Sequence, residues 1–313
     1  MREILLFVNP VFAGRNGRIL PPVLRVFEQA GVRVDVQETA ENRAAGAQAA
    51  LAVERGYDAI VACGGDGTAF DVLQGLAGSP SPLGILPLGT GNVLAQNLKI
   101  PRDPVAAARW LLTARPRPVQ LGKITCCLPG GTGSWFFAMS AGMGVHAELM
   151  AAAHRSGKAA RGRLAYFAAG LDLLLHHPLQ LFEMETTSTQ GKVDRRRASE
   201  AIALRVAELN FWRPGGGLDL SFLRLASVEE GSRWRLARAC LDAVFRSPGA
   251  RNRHSPPDAP ARYEDVLRVV CRPISGFDYQ VPLAIEADGE VLEGTCAVIE
   301  MAGVSVQMLS AAP

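Results

Sequence analysis

No window of this 313-residue chain reaches about 18 uninterrupted apolar residues, the length a helix needs to cross a bilayer. A spanning helix is therefore not expected. The first residues run straight into an apolar strand, without the charged leader and apolar core of a secretory signal, and a cytoplasmic protein is the expectation. The six cysteines include the adjacent pair Cys126 and Cys127 but no Cys-x-x-Cys spacing, and they lack the dense framework of a small secreted domain. Reduced, mostly buried thiols are expected. A net charge of +3 and a pI near 8.6 are too slight to argue for nucleic acid, so any basic surface must be local. No internal repeat is visible.

What the chain does have is apolar content, 48%, and a length sufficient for two ordinary domains. Through about residue 115 the pattern alternates. Strands are expected at Ile4–Val8, Val32–Gln37, Ala59–Cys63 and Leu83–Leu86, and helices at Ile19–Ala30, Asn42–Glu54, Ala69–Leu76, Val93–Leu98 and Val105–Leu112. Strands separated by helices imply a doubly wound parallel sheet. Arg115-Pro116-Arg117-Pro118 reads as a linker, and the rhythm then changes to strands at Val119–Leu128, Trp135–Ala141, Leu179–Thr186, Ala201–Leu209, Val266–Cys271 and Leu283–Glu286. Two long helices, His146–Leu175 and Ser232–Phe245, interrupt them, and residues 247–260 read as a mobile surface loop. The domains expected are residues 1–120, α/β; 121–300, β-rich, a β-sandwich; and 301–313, a segment packing back on the first domain.

The chemistry concentrates in glycine turns. Gly64-Gly65-Asp66-Gly67-Thr68 follows an apolar strand and precedes a helix, a layout that aims backbone N–H groups at a ligand and suits phosphate. Asp66 would repel a bare anion, so a bridging Mg²⁺, or a hydroxyl to be positioned and deprotonated, is implied. The alternative is a tight turn with Asp66 as a cap. About twenty residues later, Pro87-Leu88-Gly89-Thr90-Gly91-Asn92 repeats the pattern, and near the N-terminus a strand runs into Asn9-Pro10 and the polar loop 13–17. All three loops should lie at the carboxyl edge of one sheet, where open α/β folds bind ligands. Candidate nucleotide contacts are Asn9, Gly64, Gly65, Gly67, Thr68, Gly89, Thr90 and Asn92, with Thr39 at the end of the second strand. Asn9 could also merely stop a strand, and Thr90 and Asn92 merely cap a helix.

With Asn9-Pro10, Gly64 to Thr68, Pro87 to Asn92 and Asp288-Gly289-Glu290 in that order, the chain resembles the lipid kinase family of diacylglycerol kinase catalytic domains, sphingosine kinases and their soluble bacterial relatives. Arg161 to Tyr166 and Gly215-Gly216-Gly217 extend the likeness. The resemblance implies a NAD kinase/diacylglycerol kinase-like fold, ATP and Mg²⁺ as cofactors, a lipid substrate met at the membrane surface, and a site in a cleft between two domains. Locally Asp288-Gly289 is a hairpin signal; the resemblance implies that Glu290 is the general base for the lipid hydroxyl, with Asp66 anchoring the metal or orienting that hydroxyl.

Gly142-Met143-Gly144-Val145-His146-Ala147 satisfies a dinucleotide fingerprint, yet it falls after the parallel region and lacks the acidic ribose ligand. By resemblance Gly142, Gly144, His146 and Asp288 border an acceptor pocket, with His146 where an aspartate is common; a histidine capping a helix is the plainer reading. Arg155, Lys158, Arg161 and Arg163 precede an apolar stretch and could dock on anionic lipid at the inner membrane face, or begin a buried helix. Arg195-Arg196-Arg197 reads as an exposed hairpin. Where many relatives carry an acidic Asp-Asp-Gly loop, Gly217 runs directly into Leu218-Asp219-Leu220, so an accessory structural metal is not expected. The reading is an ATP-dependent lipid kinase; the alternatives are a NAD kinase-like enzyme, which shares the Gly-Gly-Asp-Gly-Thr loop, and a catalytically silent nucleotide- or lipid-binding protein.

Overall fold

The computed structural model describes residues 1–40, 44–155, 179–206, 218, 221–229, 233–245, 259–276 and 283–311. Two compact units divide the chain: Met1–Leu121 with Gly303–Pro313, and Gly122–Ala302.

Unit 1 opens with β1 (Glu3–Val8), a short 3-10 turn Pro10–Phe12 and α1 (Ala13–Gln29). Next come β2 (Arg33–Glu38), α2 (Ala45–Val53), β3 (Ala59–Gly64), α3 (Asp66–Leu76), β4 (Leu83–Pro87), α4 (Val93–Asn97) and α5 (Pro104–Thr113). β1 pairs in parallel with both β2 and β3, and β3 with β4. Every residue of β3 and β4 is buried, as expected of central strands covered on both faces. On the far side of β4, Met308 pairs in parallel with Leu83, so the end of the last strand completes this sheet. α1 buries Val23, Val26 and Phe27, three and four residues apart on one stripe. α2 and α3 approach so closely that a Cβ on Gly75 would stand 2.0 Å from the Gly46 carbonyl oxygen.

Three sequence expectations are corrected here. Residues 13–17 form the first turns of α1 rather than a loop, and α3 begins at Asp66, three residues before the apolar pattern starts. Arg115 to Pro118, read as a linker, instead open the long strand β5 (Arg115–Leu128).

Unit 2 is antiparallel and strand-rich. It contains β6 (Gly131–Phe137), β7 (Ser140–Gly144), α6 (Val145–Arg155), β8 (Phe182–Ser188), β9 (Val193–Leu204), β10 (Leu223–Glu229) and α7 (Arg233–Phe245). β11 (Arg262–Pro273), β12 (Ile285–Ala287), β13 (Glu290–Leu292) and β14 (Ala297–Ser310) follow. β9 is long enough to change partners: its first half pairs with β8, and its second half lies between β7 and β10. β11 likewise pairs with β10, β8 and β14 along its length. β10, β13 and β14 are strands that the sequence pattern did not reveal.

Arg196 is corrected too. Its side chain is only 9% exposed and pairs with Asp194, Glu229 and Glu264, whereas Arg195 and Arg197 point to solvent. The alternation is that of a strand with one covered face. The cysteine expectation also changes: Cys127 and Cys296 form a disulfide, while Cys63, Cys126 and Cys271 are buried thiols. Lys158, Arg161, Arg163, Gly215 to Gly217 and nearly all of the 247–260 loop lie outside the described residues, as does the side chain of Arg155. Among the described residues no helix is long and apolar enough to cross a membrane.

Candidate functional site

In unit 1, strand register brings the three loops level. Val8 pairs with Cys63, and Gly64 with Pro87, so β1, β3 and β4 end together and release Asn9, Gly65 and Gly89 at one edge. The Leu88 N–H donates to the Gly64 carbonyl at 2.8 Å and the Asn9 N–H to the Cys63 carbonyl at 3.2 Å, which ties the loops across the strand ends.

Side chains complete the join. Asn9 Nδ2 donates to Thr68 Oγ1 at 2.8 Å while its Oδ1 accepts the Val11 N–H at 2.9 Å. Both ends of this amide brace the first loop against the start of α3, a more specific task than ending a strand. Gly64 has no room for a side chain, since a Cβ there would lie 2.3 Å from Thr68 Oγ1. A Cβ on Gly89 would stand 2.7 Å from Gly65 Cα, so the two glycine turns meet backbone to backbone. Asn92 holds the left-handed conformation, φ 48°, that asparagine tolerates better than most residues. Its Oδ1 accepts the Gly89 N–H at 3.0 Å and its Nδ2 donates to the Gly89 carbonyl at 2.6 Å, with no side-chain capping bond to α4. It closes the loop instead of capping the helix.

Asp66 is the first residue of α3, where the partial positive charge of the helix N-terminus favours a carboxylate. Its Oδ1 accepts the Leu94 N–H at 3.2 Å, and a Cβ on Gly91 would stand 3.0 Å from its Oδ2. Gly91, which the motif reading passed over, thereby leaves space beside a hard oxygen ligand. Gly67 is half-buried in the same first turn, and Thr90 is exposed at the tip of its loop. Thr39 is buried just past the end of β2, with its N–H on the Val8 carbonyl at 3.0 Å.

Unit 2 holds the other predicted residues. β12 and β13 form a hairpin across Asp288 and Gly289, both at positive φ, 48° and 85°, the signature of a type I′ turn. Glu290, half-buried, opens β13 opposite Ala287. The Asp288 carboxylate accepts the N–H groups of Ala138, Met139 and Ser140 at 2.7, 2.7 and 3.0 Å. Gly142 and Gly144 are explained by sheet packing, since a Cβ on either would stand within 2.5 Å of a carbonyl oxygen of β9. All three residues thus have a structural role in the sheet and its hairpin.

His146, in the first turn of α6, does not cap with its ring; its backbone N–H donates to Glu200 Oε2 at 2.8 Å, and its Nδ1 lies 3.6 Å from Glu286 Oε1. Burial lowers the imidazole pKa to about 4. Burial raises the Glu200 carboxyl to about 8, against the pull of the Val145, His146 and Ala201 N–H groups, and holds Glu286 well above the usual carboxylate range. Sequence reasoning missed Glu200 and Glu286. The signal was there, an acid inside Ser199-Glu200-Ala201-Ile202-Ala203-Leu204 and another between Ile285 and Ala287.

Comparison with known proteins fits this geometry. The diacylglycerol kinase catalytic domain family model matches residues 3–124, which include all three loops of unit 1. A diacylglycerol kinase of Bacillus subtilis (strain 168) is 33% identical over 179 residues, 56% of this chain and 56% of that protein. One of Staphylococcus saprophyticus is 31% identical over 159 residues, half of each chain. Residues 3–124 of this chain belong to the diacylglycerol kinase catalytic domain family. The aligned part thus spans about half the length of the curated relatives it matches. A solved diacylglycerol kinase structure from Bacillus anthracis str. Sterne superposes with a TM-score of 0.64 at 17% identity, covering 99% of this chain and 97% of that one, which shows a shared fold. Within this family assignment, the matched segment holds the loops tied by Asn9, Thr68 and Asn92, whereas the Glu290 hairpin lies beyond it.

Proposed function

We propose that this protein is an ATP-dependent lipid kinase that transfers the γ-phosphoryl group of ATP to the hydroxyl of diacylglycerol or a related lipid. The observation that carries the reading is the convergence of three loops in unit 1, with Asn9 bonded to Thr68 and Gly65 in contact with Gly89. Glycine backbones that meet this closely put no side chain of their own over the loop surface, which leaves the close approach a triphosphate requires, while Asn92 holds the Gly89 N–H and so the shape of the turn.

Asp66 is the residue that would hold Mg²⁺. It is a hard oxygen donor at a helix start, and Gly91 leaves the space beside its Oδ2 clear of a side chain. Bound there, the metal would offset charge on the phosphate oxygens during transfer. The chain supplies the rest. Gly65, Gly67, Gly89 and Thr90 would lie along the phosphates, Asn9 and Asn92 fix the shape of that cradle, and Thr39 borders it. In unit 2, Glu290 would take the proton of the attacking lipid hydroxyl as its oxygen bonds to phosphorus and ADP leaves. A cytoplasmic location is proposed, with contact at the inner membrane face through the segment that contains Arg155, Lys158, Arg161 and Arg163. The Cys127–Cys296 bond bears on that location, because such bonds are rare in a reducing cytoplasm.

The test is incubation with labelled ATP, Mg²⁺ and mixed micelles of diacylglycerol, a sphingoid base, phosphatidylglycerol, a ceramide and an undecaprenol-like alcohol, with NAD⁺ in parallel. A labelled lipid that disappears in Asp66→Ala and Glu290→Ala, each folded and at least about 100-fold slower, supports the proposal. Label on NAD⁺ selects the NAD kinase-like alternative. ATP binding without any labelled product selects the silent one.

A further inference from the structure

The turn that carries Glu290 rests on two groups for which the proposed reaction has no use. Glu286 is the middle residue of β12 and is fully buried. Its Oε2 accepts the N–H of Gly289 at 2.8 Å, so it grips the turn one residue before Glu290. Its Oε1 points the other way, 3.6 Å from His146 Nδ1. Among the described residues neither Oε1 nor Nδ1 has a hydrogen-bond partner.

Besides His146, the titratable groups that face Glu286 among the described residues are acids: Asp288 and Glu290 on its own hairpin and Glu200 on β9. Glu200 in turn faces Glu148 on α6 and lies beside the Cys271 thiol of β11. Among the described residues no cation is in contact with Glu286 to stabilise its ionised form, and one backbone N–H does not compensate for burying a full charge. A neutral carboxylic acid, by contrast, has an O–H to donate, and in the imidazole tautomer that carries its proton on Nε2 the Nδ1 is an acceptor, here with no other donor. The gap of 3.6 Å exceeds a closed hydrogen bond, so the two atoms must approach by about 0.5 Å to make one.

We infer that Glu286 and His146 form a neutral acid–imidazole pair, with the Glu286 O–H directed at His146 Nδ1, and that this pair positions the Asp288–Gly289 turn and through it Glu290. Both are positioning residues, since neither touches the reacting atoms. Their effect depends on the reading of Glu290 as the base proposed above. The low pKa of the imidazole and the raised pKa of the acid agree with a pair that stays uncharged across the working range.

The experiment compares Glu286→Gln, Glu286→Ala and Glu290→Ala by lipid phosphorylation and by infrared difference spectroscopy. Glutamine keeps the neutral shape, with a carbonyl for Gly289 and an N–H₂ for His146. Misplacing a base by about 1 Å is worth roughly 100-fold in rate. Glu286→Ala should therefore lower kcat at least about 10-fold with the KM for ATP within about 3-fold, and Glu286→Gln should restore kcat to within about 3-fold with the wild-type pH profile. The difference spectrum of wild type minus Glu286→Gln should contain a carboxylic-acid carbonyl band. Glu286→Gln as slow as Glu286→Ala, or no such band, overturns the neutral pair. A folded Glu286→Ala with wild-type kcat overturns the positioning role. Full activity in Glu290→Ala would instead remove the base assignment, and the infrared band would still decide whether Glu286 is protonated.

Discussion

Replacing Asp288 by asparagine separates a structural from a substrate-binding role for the most conspicuous acid of the C-terminal motif. The backbone should not object, because asparagine accepts the φ of 48° at this position. The loss is in hydrogen bonding. Oδ1 now accepts the Met139 and Ser140 N–H groups and Oδ2 accepts that of Ala138, in a site where the residue is 5% exposed. The amide oxygen of asparagine can keep the first two, but as neutral rather than charge-assisted bonds, a loss of about 1 kcal/mol each. The amide N–H₂ then faces the Ala138 N–H, donor against donor, which strands a buried group at about 1–3 kcal/mol. Together the change should destabilise unit 2 by roughly 3–5 kcal/mol, or about 6–20 °C in its unfolding midpoint. Thermal unfolding followed by circular dichroism measures this, alongside the KM for lipid, which should stay within about 3-fold if Asp288 holds backbone and not substrate. A midpoint shift under about 2 °C, or a KM change above about 10-fold in a stable protein, would refute the reasoning.

Gly89→Ala places a methyl 2.7 Å from Gly65 Cα and should open the join between the two glycine turns; calorimetry should find ATP affinity reduced at least about 10-fold with the unfolding midpoint of unit 2 unchanged, and normal affinity would disprove the proposed cradle. Stability should fall as pH rises above about 6.5. Folded Glu200 keeps up to about pH 8 a proton that the unfolded chain, with the ordinary value of 4.5, has already released. Below 6.5 the sign is opposed by His146, which the unfolded chain protonates first and the folded protein only near pH 4. Denaturant titrations from pH 6.5 to 8 should show Glu200→Gln flattening the slope by about one proton, roughly 1.4 kcal/mol per pH unit, and an unchanged slope would remove Glu200 as its source. The Cys127–Cys296 bond closes a loop of 169 residues, so its reduction, or Cys296→Ser, should destabilise unit 2 by about 2–5 kcal/mol; non-reducing peptide mapping should recover the two cysteine peptides linked, and their separate recovery would exclude the bond.

The parts of this molecule that were legible in the sequence are those whose cause is local. Two apolar strands followed by glycine turns, and a first one that ends in Asn9-Pro10, specify strand and turn without reference to the rest of the chain, and the order of the turns places them at one sheet edge. The Asp288-Gly289 dipeptide specified its hairpin because both residues adopt positive φ, a property of those residue types. Helix starts were not legible in the same way. Residues 13–17 include two glycines and an asparagine, and Asp66-Gly67 are likewise of poor helix propensity, yet both stretches are helical in the fold.

Long-range pairing decided the rest. Nothing near Asp288 in sequence announces that its carboxylate will hold the backbone of residues 138–140, nor does the Cys126-Cys127 doublet say which cysteine finds Cys296 and which stays a buried thiol. The two buried acids follow the same logic. Glu200 and Glu286 each interrupt an apolar strand, which marks them as anomalies, but their meaning depends on register: Glu200 pairs opposite Gly144 and Glu286 opposite Gly142. The lack of a side chain at those two glycines lets β7 lie close against β9, which brings α6 and His146 up to both acids. The glycines taken from the motif as part of a binding pocket thus act one step earlier, by letting β7 and β9 pack closely enough to bury a histidine and two carboxyl groups together.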